Sequence, residues 1–147
     1  MKSRWVPTDQ ELCEIVNVND AMAVVIRGHQ AMQAILDSAI AAALPGPHAI
    51  ELHRLSFSLK VDLAIGLQLA HQDLRLPLLA FNRLRNSFAH DPAAALTEKE
   101  TAELTQAFSD RLRSFFTSMK VGTDNIEVLQ GVVIMLSLEL DFVLRRM

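Results

Sequence analysis

Cysteine occurs once in the 147 residues, at Cys13, and tyrosine does not occur at all. A lone thiol excludes an intrachain disulfide and a cysteine-built metal site, and it suits a reducing cytosol. Glycine and proline are scarce, five of each, in a chain that is 50% hydrophobic and rich in alanine and leucine. That is a helical composition. A membrane-spanning run is also missing, because the most apolar segment, residues 132–138, is short and is followed at once by Glu139 and Asp141. The first residues lack the continuous apolar stretch of a signal peptide. There is no excess of positive charge either: the formal net charge is −3 and the pI near 5.9, which argues against a whole-protein footprint for duplex DNA. These absences point to a soluble cytoplasmic protein with no membrane partner.

The length of 147 residues suits one domain, spanning residues 1–147, large enough to bury a real core. A mean hydropathy of +0.21 is high for a small soluble chain and leaves apolar surface to be covered, so an oligomer is expected.

Six helical segments follow from spacing and capping. Thr8 and Glu11 form a capping box for a short helix carrying Leu12, Ile15 and Val16 inward. Asp20 caps a long second helix with Met22, Val25, Met32, Leu36 and Ile40 on its core side, stopped by Pro45, Gly46 and Pro47. A third helix over residues 49–70 repeats Leu52, Leu55, Leu59, Leu63 and Leu67 on one face, with Gly66 marking a close helix crossing. The fourth has Pro77 in its first turn. Thr97 and Glu100 make a second capping box, for a fifth helix carrying Leu104, Phe108, Leu112, Phe115 and Met119. The sixth starts near Asp124 and is apolar nearly all round, so it is central or shared between subunits. No strand-like alternation or repeat is present. The expected fold is an all-α antiparallel bundle of five to six helices, with the second, third, fifth and sixth supplying most of the core.

Residues 78–92, ending in Arg85, Asn86, Ser87, Phe88, Ala89, His90, Asp91 and Pro92, carry the functional signal. At about 100° per residue, Phe81, Leu84 and Phe88 share an apolar stripe, while Arg83, Asn86, Ser87 and His90 share the opposite one. Arg85 stands beside Asn82 and Ala89, about a quarter-turn from each stripe, its stem free to lie along the core edge. Pro92 ends the helix and leaves His90 at its C-terminus, where the macrodipole favours positive charge. Between Gln72 and His90 the only acid is Asp73, against Arg75, Arg83 and Arg85, which makes a local basic patch.

Arg85, Asn86, Ala89 and His90 match the Arg-Asn-x-x-Ala-His form of the Arg-x(4–6)-His motif of HEPN domains. The preceding run, with Phe57, Lys60, Gly66 and Leu67, resembles the Phe-x-x-Lys-hydrophobic helix of the mannitol operon repressor family, which is HEPN-like in pattern. The resemblance covers about residues 20–92. It implies an antiparallel HEPN-like bundle that dimerises through the motif helix. It further implies a metal-independent endoribonuclease site at the dimer seam, without cofactor. There His90 would move a proton at a ribose 2′-hydroxyl, Arg85 would stabilise phosphoryl charge, and Asn86 would hold the imidazole or a phosphate oxygen. Asn82 and Arg83 are the flanking nucleic-acid contacts.

Three readings stand beside one another. The first is a homodimeric protein that binds or cuts single-stranded RNA, a toxin or RNA-based regulator if a nearby-encoded antitoxin holds it. The second is a non-catalytic regulator resembling the mannitol operon repressor and acting through a partner protein, since no helix-turn-helix or basic arm suggests duplex binding. In the third, His90 is only a helix cap and Arg85 pairs with an acid on a neighbouring helix. His29, His48, His53 and His71 show no metal-ligand spacing and read as loop or partly buried side chains. Lys60 and Asp62 read as a structural or exposed pair, with Lys60 a second phosphate contact.

Overall fold

Thr8 accepts the Glu11 amide hydrogen while Glu11 returns to the Thr8 amide, so the first capping box forms and opens α1 (Asp9–Val16). Asp20 accepts from Ala23 and opens α2 (Ala21–Ala43). The computed structural model describes residues 5–146, and side chains as far as residue 141. Its further helices are α3 (Phe57–Gly66), α4 (Arg75–His90), α5 (Glu98–Gln106), α6 (Asp110–Ser118) and α7 (Asn125–Arg146), and the described residues contain no strand. The all-helical bundle expected from composition is therefore present, with seven α-helices among the described residues rather than five or six. Among the described residues no helix is long and apolar enough to cross a membrane.

The extra helix arises where residues 97–119 break in two. Ser109 accepts from the Leu112 amide and caps α6, and its own hydroxyl donates to Asp73 at 2.7 Å. A capping serine inside a run of regular apolar spacing splits the helix without disturbing the pattern, because Leu104, Phe108 and Leu112 are buried on both sides of the break. Asp73 also takes two hydrogen bonds from Arg111, at 3.0 and 2.8 Å, and Arg111 reaches Glu139 of α7 at 2.9 Å. Partial burial would raise the Asp73 pKa, but the Arg111 and Ser109 hydrogen bonds outweigh it and hold the carboxyl at about 2.

The third segment departs most from its expectation. Residues 47–54 hold only two short 3-10 turns, Pro47–Ala49 and Leu52–Arg54, and the α-helix waits until Ser56 caps it through the Leu59 amide. Its buried face is Phe57, Lys60, Val61 and Ala64, whereas Leu59 is 49% exposed and Leu55, Leu63 and Leu67 are half-buried. Leu52 is buried as expected, though in the second 3-10 turn, while the rest of the leucine repeat lies along the edge of the helix and not on its core side. Gly66 ends α3 in open space, and the close helix crossing falls at Gly28 of α2, where a Cβ would stand 2.9 Å from Val133 of α7; a Cβ on Gly131 of α7 would stand 2.7 Å from Val121 in the turn before that helix. Met22, expected inward, is 50% exposed.

α2 packs most extensively on α7, and also on α1, α3 and α4. Val24, Val25, Met32, Ile35, Leu36 and Ile40 of α2 meet Leu129, Val132, Val133, Met135 and Leu136 of α7 in one buried cluster. Each such side chain contributes roughly 1.5–3 kcal/mol on full burial. α3 and α4 pack antiparallel, with Asp62 joined to Arg75 at one end and the His29 ring lying between Phe57 and Phe81 at the other. This places the motif-bearing end of α4 beside the middle of α2.

Candidate functional site

α4 buries Pro77, Leu78, Ala80, Phe81, Leu84 and Phe88 and leaves its opposite side open. Pro77 occupies the first turn, where no amide hydrogen is needed for the helix ladder. Asp91 takes the C-cap in extended backbone, its amide bonded to the Ser87 carbonyl, so the helix ends at His90 as the following proline demands.

The open side has a regular composition. Leu76, Leu79, Arg83, Asn86 and His90 follow one another at spacings of three and four, and all are exposed except Leu79, which is half-buried. Leu76 is 63% exposed. Arg83 and His90 form no hydrogen bond or ion pair with any described residue, and Arg85 donates to Asn86 Oδ1 at 3.2 Å instead of to an acid. Of the acids near α4, Asp62 pairs with Arg75 at the start of the helix itself and Asp73 with Arg111, while Glu103 of α5 lines the cleft beside Arg83 without an ion pair to any described residue. Arg75 therefore drops out of the basic patch, and Arg83 and Arg85 remain.

The two remaining arginines point to different clefts. Arg83 lines a cleft of about 200 Å³ with Ser87 of α4 and Lys99, Glu100 and Glu103 of α5. Arg85 is half-buried and lines a cleft of about 350 Å³ against Ile26, His29, Gln30, Gln33, Ala34 and Asp37 of α2. Within one chain Arg85 and Asn86 are bonded to each other, and His90 follows Asn86 one turn later on the exposed face. Asn82, expected at the nucleic-acid surface, turns inward instead: His29 Nε2 donates to its Oδ1 at 2.9 Å. The amide is drawn in because a buried imidazole needs a partner.

Of three further residues in this region, His29 and Lys60 were expected in less buried surroundings and Asp37 was not singled out at all. His29 is buried in α2, its ring 4.3 Å from that of Phe57. Desolvation depresses its pKa, the Asn82 hydrogen bond opposes this, and the charges of Arg85 and Lys60 add to the depression, so the imidazole is held neutral. Lys60 is fully buried and pairs across helices with Asp37 at 2.9 Å; Asp62 pairs with Arg75 instead. The expected Lys60–Asp62 pairing and the surface phosphate contact at Lys60 are both corrected by this. A lysine on an otherwise apolar helix face was the visible signal for the first pair, and Asp37 between Leu36 and Ala39 was the signal for its partner. Although the distance is that of an ion pair, neither Lys60 Nζ nor Asp37 Oδ1 meets hydrogen-bond geometry with any group.

A larger cleft, about 630 Å³, lies away from the motif among Gln68, His71, Gln72, Arg111 and Glu139. Its guanidinium is already paired with both Asp73 and Glu139, so no free cation there awaits an anionic ligand. Among the described residues no three His, Cys, Asp or Glu side chains converge as a metal site. Compared with known proteins, the chain matches no family model, no curated protein and no solved structure.

Proposed function

We propose that this protein is a homodimeric, HEPN-like endoribonuclease that cuts single-stranded RNA, with Arg85, Asn86 and His90 of both copies around one phosphate. The observation that carries the reading is that the cations at the motif end of α4 are not used by the fold: among the described residues Arg83 and His90 are exposed without a partner, and Arg85 bonds only Asn86. Cationic groups kept for packing would have taken the nearby acids, as Arg75 and Arg111 do. The dimer is supported by exposed Leu76 and half-buried Leu79, apolar side chains on the same face of α4 as Arg83, Asn86 and His90 that a second copy would cover. A two-fold axis across this face would supply two imidazoles and two guanidiniums to one site.

In that site one His90 takes the proton of a ribose 2′-hydroxyl as the oxygen attacks the adjacent phosphorus. The bond from phosphorus to the 5′-oxygen breaks, the second His90 protonates that oxygen, and a 2′,3′-cyclic phosphate remains. Arg85, steadied by Asn86, offsets charge on the phosphoryl oxygens. Single strands are the substrate because their 2′-hydroxyl can swing in line, which a duplex prevents.

Labelled RNA incubated in EDTA with wild type, His90→Ala and Arg85→Ala, each matched for helicity and mass, tests this directly. The variants should lose roughly 10² to 10⁴ in rate. Intact RNA with all three proteins would favour the second reading, a non-catalytic regulator acting through a protein partner. Equal cutting by all three would point to a contaminant and return both residues to structural roles.

A further inference from the structure

The ion pair at the floor of the α2–α4 cleft has no packing reason to be charged. Lys60 is fully buried, and its ammonium has one ionic contact and no hydrogen bond of good geometry. A methionine would fill the same space without desolvating a charge. What the lysine does is hold one oxygen of Asp37, Oδ1, while the carboxylate, 17% exposed, lines the cleft that Arg85 shares with Gln30 and Gln33. The cleft therefore presents an anchored acceptor, two side-chain amides able to donate or accept, a guanidinium at its rim, and apolar walls from Ile26 and Ala34. Its volume of about 350 Å³ suits one flat ring system with a few convergent polar groups.

We propose that this cleft seats one unstacked guanine base. Guanine alone among the RNA bases carries two neighbouring donors, N1–H and the 2-amino group, beside an acceptor, O6. With Oδ1 buried against Lys60, the acceptor-only oxygen Oδ2 of Asp37 faces those two donors together, and an amide of Gln30 or Gln33 answers O6. Arg85, which belongs to both the cleft and the candidate cleavage site, ties the seated nucleotide to the phosphate next to it. The assignment of the base to an RNA strand rests on the ribonuclease reading above, whereas a free guanine nucleotide would offer the same ring to the same groups.

His90→Ala protein, which keeps the cleft and should not cut, is titrated by fluorescence anisotropy with labelled oligouridines carrying one guanosine, inosine, adenosine or cytidine. Guanosine should bind tightest, and inosine, which lacks only the 2-amino group, about tenfold to a hundredfold more weakly, the worth of a hydrogen bond to a charged acceptor. Asp37→Asn should level the preference of guanosine over inosine, and one of Gln30→Ala and Gln33→Ala should weaken guanosine and inosine alike and narrow their lead over adenosine; the glutamine variants leave the buried ion pair intact, and the inosine comparison needs no variant at all. Equal binding of all the oligomers would overturn the guanine pocket and leave the RNA reading standing. Saturable binding of guanosine monophosphate with no oligomer bound would uphold the pocket and overturn the RNA assignment. Failure of both ligands would overturn the pocket outright.

Discussion

Lys60 and Asp37 are unequal partners, and the inequality is measurable. Asp37 reaches solvent at one edge, so Lys60→Met lets the carboxylate turn outward, whereas Asp37→Asn strands an ammonium with no exposure. Leaving a buried charge unpaired costs about 3–5 kcal/mol. We expect urea denaturation to show that loss for Asp37→Asn, a smaller one for Lys60→Met, and partial recovery in the double variant. Equal losses for the two single variants would mean the pair is better hydrated than its burial indicates. His29 gives a second, pH-dependent test. Its pKa is depressed in the folded protein by burial, so below the ordinary histidine value of about 6.5 the unfolded chain holds the extra proton and stability falls with pH. Between pH 7.5 and 5.5, on the order of one unit either side of that value, wild type should lose stability that His29→Gln does not lose. Parallel pH profiles would show that the ring is not held neutral. Asp73, held at about 2, contributes only in a lower window: its contribution is full above the ordinary aspartate value and disappears as pH falls toward 2.

The helices differ in how closely they approach one another, and glycines record it. Gly28 sits where α2 crosses α7, and a methyl there would meet both γ-carbons of Val133, at 2.9 and 3.0 Å. Valine is branched at Cβ and fully buried here, so it has no easy retreat. Gly28→Ala should therefore destabilise by about 1–3 kcal/mol despite alanine's better helix propensity. Gly66→Ala, in open space at the end of α3, should instead stabilise by about 0.5–1 kcal/mol. Thermal denaturation of the two proteins decides it, and shifts of the same sign would contradict the crossing described for α2 and α7. Helix starts were readable beforehand because a cap involves residues only three apart: Thr8 with Glu11, Asp20 with Ala23, and Thr97 with Glu100 each formed as expected. The break at Ser109 was not readable, since its serine is also held by Asp73, 36 positions away.

At the scale of the whole molecule, the proposed dimer turns on the exposed row of α4. Leu76 lies on the same face as Asn86 and His90, near the other end of the helix, and is 63% exposed. Leu76→Glu should leave the monomer's helicity and melting unchanged, reduce the mass in light scattering to that of one chain, and abolish RNA cutting along with the seam. Persistence of the dimer would place the two-fold axis on some other face. A monomeric wild type at tens of micromolar, on the order of a weak interface's dissociation constant, would remove the shared site altogether.

Local chemistry in the sequence determined the all-helical character, most helix starts and the stop at His90, because propensity, capping and proline act over a few residues. It also set the Arg85, Asn86 and His90 group on one helical end, since spacing on a helix follows from its pitch. Which side of each helix is buried was decided by packing. The leucine repeat of α3 lost the core to Phe57, Lys60, Val61 and Ala64, because burial depends on which neighbour a face meets and not on hydrophobicity alone. The partners of the charged groups were decided the same way: Lys60 chose Asp37 over Asp62, and Asn82 turned to His29, because a buried polar group must find its complement within reach in space. That requirement is blind to sequence distance, so the cleft between α2 and α4 exists only once the helices have met.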